Sequence, residues 1–422
     1  MTNFPPEGFI PTKSAVPGID IYMPKPPDKK HEEVVAFTCP NCGGETAYSA
    51  DNGGLTCTYC GYYEPPKQKV VGKQADEFEF TAETMERVAH GWGVERKELV
   101  CNVCAARTTI STDELTHTCP FCGSNQVIQV KVPQDVLRPR FLIPFKTTTD
   151  QCRQISAEWL ESSWMIPRGL RHLARKAEYT PIYIPFWTFD AVTDAAWRAE
   201  VAHTKTYRSG GKTRTKTVWK WESGRAHLNI DDMLVTGTNK LSQLLLQRLR
   251  GYNLHELVPY DATYLAGLKA QAYDVNLEDA WEVARRRMRE QTKKACKSQA
   301  SNRRMRNFSM NLDFEDESWR YILLPLYLTT YQYDGRAWQI MINGQNGVIA
   351  GQRPVAWRRV WLVVLAALLP ALLLGALAFL LLASGSTEGA GSLTGLVAFA
   401  AFVIAIVFNV ITFRKAMGMD DI

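Results

Sequence analysis

The chain has 422 residues, 46% of them apolar, and a formal net charge of +6. That length exceeds one ordinary domain, and that apolar share excludes a broadly disordered chain. The charge is compatible with contact to anionic lipid or nucleic acid, and equally with neither.

The first thirty residues hold seven prolines and no sustained apolar run, which excludes a secretory signal peptide. Residues 1–36 are expected to form a flexible, Pro-rich tail. With nothing to direct export, the body is expected in the cytosol. That compartment is reducing, so the ten cysteines read as metal ligands or thiols and not as disulfides.

Eight of those cysteines form four Cys-x-x-Cys pairs: Cys39/Cys42, Cys57/Cys60, Cys101/Cys104 and Cys119/Cys122. Fourteen residues separate the pairs within each half, and each cysteine of the first half recurs sixty-two residues later. Two residues between cysteines let one tight turn aim both thiolates at one ion, and two such turns close a tetrahedral site. Glycine follows three pairs (Gly43, Gly61, Gly123), where the turn wants positive φ, and Ala105 stands in the fourth. The spacing predicts two structural zinc ribbons, residues 37–64 and 99–130, joined by a connector over 65–98. A rubredoxin-like iron site uses similar turns. His117 reads as a hairpin histidine, and Cys152 and Cys296 as unliganded thiols.

Residues 131–354 read as a mixed, β-rich α+β domain. Apolar strand-like runs are FLIPF (141–145), PIYIPFWTF (181–189), YILLPLYLTTYQY (321–333) and WQIMI (338–342). Pro144, Pro185 and Pro325 interrupt three of them, which predicts edge strands or bulges. The likeness around Pro185 and Pro325 hints at a second duplication. Helices are expected near 149–164, 238–250 and 276–298. NGQNG (Asn343 to Gly347) reads as a turn, and residues 205–221 as an exposed basic hairpin around a Gly-Gly. Arg285 to Arg306 holds ten basic residues against one acid, Glu290. Both basic segments suit a solvated face, anionic lipid headgroups or nucleic acid.

Residues 360–383 and 393–413 are uncharged and long enough to cross a bilayer, with an external loop over 384–392 and a tail over 414–422. Arginines precede the first span and Arg414 and Lys415 follow the second, so both termini are expected in the cytosol, at the cytoplasmic (inner) membrane. Gly391 and Gly395 begin a small-residue face that suits closure of the hairpin or a homo-oligomer. Asn409 is the strongly polar side chain within the spans.

No phosphate loop, HExxH, GxSxG or GxGxxG is found, so no catalytic residue is assigned. The order ribbon, ribbon, mixed domain, membrane hairpin resembles a family of bacterial zinc-ribbon membrane proteins. The resemblance rests on CPNCGG (39–44), CPFCGS (119–124), YIPFWTFDA (183–191), PYDATYLAGLKAQAYDV (259–275) and residues 323–354. Members carry labels such as transcription-factor-IIB-type zinc ribbon or replication-restart helicase; the second does not fit a chain without a phosphate loop. The resemblance implies protein partners of SPFH or phage-shock type and a recruiting role in envelope stress. The sequence thus points to a membrane-anchored scaffold holding two zinc ions. A tethered nucleic-acid binder and an enzyme on a lipid or envelope substrate are the alternatives.

Overall fold

The computed structural model describes residues 9–12, 21–24, 37–65, 70–72, 78–79, 96–103, 107–111, 119–121, 124, 127–131, 137–209, 212–249, 251–383 and 388–420. Residues 1–36 form one unit and 37–422 a second. In the first, β1 (Phe9–Thr12) pairs antiparallel with β2 (Ile21–Pro24). The expected tail therefore holds paired backbone. Each strand of a two-stranded pair keeps one open edge, which accommodates Pro11 and Pro24.

The larger unit begins with a three-stranded sheet of β3 (Thr46–Ser49), β4 (Gly54–Cys57) and β5 (Tyr63–Glu64). Next come β6 (Phe78–Glu79), β7 (Arg96–Cys101), β8 (Arg107–Ser111) and β9 (Val127–Lys131). The body follows as β10 (Phe141–Leu142), α1 (Thr149–Glu161), α2 (Leu170–Lys176), β11 (Thr180–Ser209) and β12 (Lys212–Thr236). It continues through α3 (Gln243–Arg248), β13 (Val258–Pro259), β14 (Lys269–Ala270), α4 (Leu277–Gln299), β15 (Met305–Tyr333), β16 (Arg336–Asn343) and β17 (Ile349–Gly351). Two long apolar helices end the chain, α5 (Trp357–Ala383) and α6 (Glu388–Asp420).

The mixed α+β expectation holds, but the strands that carry Pro185 and Pro325 are not edges, and Pro144 falls just after β10. β11 and β15 pair with each other at the centre of the large sheet. Each proline sits where its strand changes its second neighbour. β11 pairs with β14 through Tyr183 and with β12 from Phe186 onward; β15 pairs with β10 through Leu323 and with β16 from Leu326 onward. Pro185 and Pro325 fall in those gaps, where the ladder requires no N–H. Their carbonyls accept from Gly237 N–H at 2.8 Å and Gly344 N–H at 2.9 Å.

The two halves repeat bond for bond. Gln271 N donates to Tyr183 O as Ile143 N donates to Leu323 O, and Asp274 and Val275 N–H reach Gly237 O as Lys146 and Thr147 N–H reach Gly344 O. The next residues, Asn276 and Thr148, are the N-caps of α4 and α1. The body is thus two β-α-β-β units (β10, α1–α2, β11, β12 and β14, α4, β15, β16) about a pseudo-twofold at the β11–β15 pair.

Beyond the body, β11, β12 and β15 continue together as a three-stranded arm, to Val201 opposite Met305. α4 covers one face of it with Ala284, Met288, Thr292 and Cys296, a stripe at helical spacing. Thr193 and Thr292 hydroxyls meet at 3.0 Å, and Trp197 Nε1 donates to Gln299 Oε1 at 2.8 Å. The basic run of 285–306 is accordingly the outer face of a packed helix followed by the start of β15. From Ala202 to Ser209 the arm is two-stranded, the exposed hairpin expected at 205–221.

α5 and α6 are long and apolar enough to cross a membrane, each with mean hydropathy 2.7 over its apolar span. They pack on each other at seven-residue intervals. Val364, Ala371 and Ala378 are buried on α5, and Ala398, Ala405 and Thr412 on α6. A Cβ on Gly395 would stand 4.0 Å from Ala378 Cβ, so the small-residue face closes the hairpin on itself. Asn409 Nδ2 donates to Val364 O at 3.3 Å across the same seam. α6 begins at Glu388, so the expected external loop of 384–392 is partly helical.

A four-cysteine candidate metal centre

β3, β4 and the two turns flanking them bring Cys39, Cys42, Cys57 and Cys60 together, with all four Sγ atoms within 4.8 Å of one another. Both turns have the same backbone bonds. Cys39 N donates to Gly44 O and Gly43 N to Cys39 O; Cys57 N donates to Tyr62 O and Gly61 N to Cys57 O. Gly43 and Gly61 take φ of 72° and 71°, the positive values that glycine allows without strain. Cys39 and Cys57 are buried, while Cys42 and Cys60 face solvent.

The sulfurs fit a tetrahedral ion. Cys39 and Cys60 Sγ stand 3.5 Å apart, and Cys42 and Cys57 Sγ 3.6 Å. A thiolate-to-zinc bond of about 2.3 Å implies tetrahedral edges of about 3.8 Å. Charge is divided unevenly among the thiols. The Tyr62 N–H, with help from Asn41 Nδ2, brings Cys60 down to about 6. Gly44 N–H also pulls Cys42 down, but its bonds to Cys60 and Cys57 outweigh that and hold it up at about 12. Binding of a divalent ion by thiolates releases protons, so the site would bind less well as pH falls.

The second set is placed in part. Cys101, at the end of β7, and Cys119 are both buried in one apolar cluster. Cys119 N donates to Ser124 O at 2.7 Å, the bond that Cys39 and Cys57 make in the first set. Val103 N donates to Cys101 Sγ at 3.4 Å. Cys104, Cys122 and His117 lie outside the described residues.

Neither cysteine-bearing segment stands apart from the body. Tyr48 N donates to Ala266 O at 2.7 Å, and its ring meets Tyr264 at 5.3 Å. Asp51 Oδ1 accepts from Thr149 N at 2.6 Å at the start of α1. In the second set β8 pairs with β14, and Thr109 Oγ1 donates to Ala270 O at 2.8 Å. Cys152 and Cys296 are fully buried in α1 and α4, and neither joins the four-sulfur group. Burial pushes the Cys152 thiol up to about 12, and Cys296 Sγ meets Met310 Sδ at 3.8 Å.

A second cluster was not legible in the sequence. Asp190, Asp231 and Asp232 bring carboxylates within 4.8 Å of one another where β11 and β12 leave the body. Buried Arg320, from β15, pairs with Asp190 at 3.5 Å and with Asp232, and its Nε donates to Thr188 Oγ1 at 3.2 Å. These residues come from three strands, so spacing gives no signal. The guanidinium supplies the positive charge there, and the cluster ties the arm to the body.

The chain is 26% identical over 330 residues to the uncharacterized protein YdjG of Bacillus subtilis (strain 168), over 76% of this chain and 91% of that one. No family model matches the chain, and no solved structure matches it.

Proposed function

We propose that the protein is a membrane-anchored zinc-ribbon scaffold. The observation that carries this reading is a four-sulfur centre with no open coordination position, seated on a body that continues into two membrane-length apolar helices. Four thiolates around one ion leave nowhere for substrate, so the metal's role is to hold a small module rigid. Two zinc ions per chain, one in each set, serve that role. The helices fix the body at the cytoplasmic membrane with both termini in the cytosol. There the ribbons and the arm present surface to a protein partner, which the family resemblance suggests to be of SPFH or phage-shock type. The protein carries out no catalysis in this reading.

The test is purification of the full chain from native membranes in mild detergent, with metal analysis and mass spectrometry on one sample. Two zinc ions and a recurring stoichiometric protein partner are expected, with one ion left in Cys60→Ser. Purification without any partner or self-assembly defeats the scaffold reading.

The hairpin of the arm favours a second reading, nucleic-acid binding. Its register puts Lys205 opposite Lys216, Tyr207 opposite Arg214, and Lys212 on one face, and Arg208 with threonines 204, 206, 213, 215 and 217 on the other. Binding of that kind would weaken steeply with salt.

A further inference from the structure

The loop between α1 and α2 fastens the body to both apolar helices. Met165 is buried among Val355, Val360 and Val364 before and on α5 and Ala416 and Met419 on α6. Ala356 N donates to Met165 O at 2.7 Å, and Arg359 Nη1 donates to Ile166 O at 3.1 Å and Trp164 O at 3.5 Å. These bonds hold the loop level with the first turns of α5.

At that level a cavity of 670 Å³ opens between the loop and α5, lined among others by Trp164, Pro167, Arg168, Arg359, Leu362 and Val363. Its lining mixes two chemistries, the guanidinium groups of Arg168 and Arg359 and the apolar side chains of Leu362 and Val363, about one turn further along α5 than Arg359. Glu161 also lines the cavity and has an interaction of its own. Arg168 is exposed and has no ion-pair partner among the described residues. Trp164 leaves 46% of its surface open and Leu362 65%.

The distances suit the edge of a bilayer. Arg359 and Leu362 are three residues apart on α5, a rise of about 4.5 Å. The polar interface on each side of a bilayer is about 5–8 Å deep. A ligand touching both must therefore carry an anionic group and an apolar chain about that far apart. An exposed indole beside it is the side chain that settles at this depth.

We propose that this cavity holds one anionic phospholipid, its phosphate between Arg168 and Arg359 and the upper part of an acyl chain along Leu362 and Val363. The proposal rests on reading α5 and α6 as membrane-spanning. A water-soluble phosphate would use the guanidinium groups and leave the apolar wall wet. A zwitterionic lipid would bring a cation to a site whose two arginines outnumber its one carboxylate.

The test uses the full chain in mild detergent with equimolar phosphatidylglycerol and phosphatidylcholine, read by native mass spectrometry. One phosphatidylglycerol per chain is expected to be retained at least five-fold over phosphatidylcholine. Arg168→Gln should abolish that preference while leaving thermal unfolding unchanged, because Arg168 is exposed. Equal retention of the two lipids, or an unaltered preference in Arg168→Gln, overturns the proposal. Displacement of the lipid by millimolar glycerol phosphate also overturns it, reducing the site to one for free phosphate. Flotation with phosphatidylcholine vesicles separates the two failures. A protein that floats without lipid preference loses only this site, whereas one that does not float loses the membrane reading as well.

Discussion

At the scale of single residues, polar groups earn their places by what they hold together. Glu256 accepts from Lys146 Nζ at 2.7 Å and from Gln345 Nε2 at 2.6 Å, joining the start of the body to the NGQNG turn. The Lys146 hydrogen bond, ahead of the other contacts, draws its carboxyl below the ordinary value of 4.5. A lowered pKa means the folded state favours the charged form. Its contribution is complete above the unfolded value and lost as pH falls through the folded one. Glu256→Gln should therefore cost about 1 kcal/mol at pH 7. In thermal unfolding of the detergent-solubilised chain, the gap to the parent should close as pH falls below 4.5. The turn itself was legible from NGQNG. Its packing was not, because Asn343 is buried and donates through Nδ2 to Leu249 O, ninety-four residues away.

Among the elements, the arm departs furthest from expectation. A nine-residue apolar run and the first leg of a separate basic hairpin proved to be one strand of thirty residues. The sequence changes character along it because its surroundings change, from a buried centre through a face under α4 to a hairpin exposed on both sides. At the end, Lys205 and Lys216 are directly opposed with no acid between Glu200 and Glu222. Like charges across a two-stranded ladder destabilise it. Lys216→Glu should stabilise the hairpin by about 0.5 kcal/mol at low salt, read as slower amide exchange at residues 203–209, with the gain shrinking as salt rises.

For the whole molecule, the pseudo-twofold sets the plan. Gly237 and Gly344 occupy equivalent positions against the two prolines. A Cβ on Gly237 would meet Pro185 Cβ at 3.0 Å, and one on Gly344 would meet Phe145 Cδ1 at 2.6 Å and Pro325 Cβ at 2.9 Å. Alanine at either site should destabilise the body by about 1–3 kcal/mol, with Gly344→Ala the worse because an aromatic ring and a proline must both yield. Thermal unfolding of the two variants side by side checks the order. Equal losses, or Gly237→Ala the worse, would refute that order, and no loss in either would show that these close contacts do not constrain the body.

The first cysteine set, the apolar lengths of the two C-terminal helices and the exposed hairpin could be read from sequence alone. Each depends on local chemistry: ligand spacing within a turn, an uncharged run longer than a bilayer, glycines between basic strands. Tertiary structure decided what depends on residues far apart. It placed the proline-bearing strands at the centre, because a gap between successive neighbours spares the ladder the missing N–H. It joined Asp190 and Asp232 to Arg320 from three strands, and it fixed the four-cysteine segment to the body through Tyr48 and Asp51. A single chain's spacing carries no record of which distant backbone atoms will face each other. That pairing is fixed only when the sheet closes.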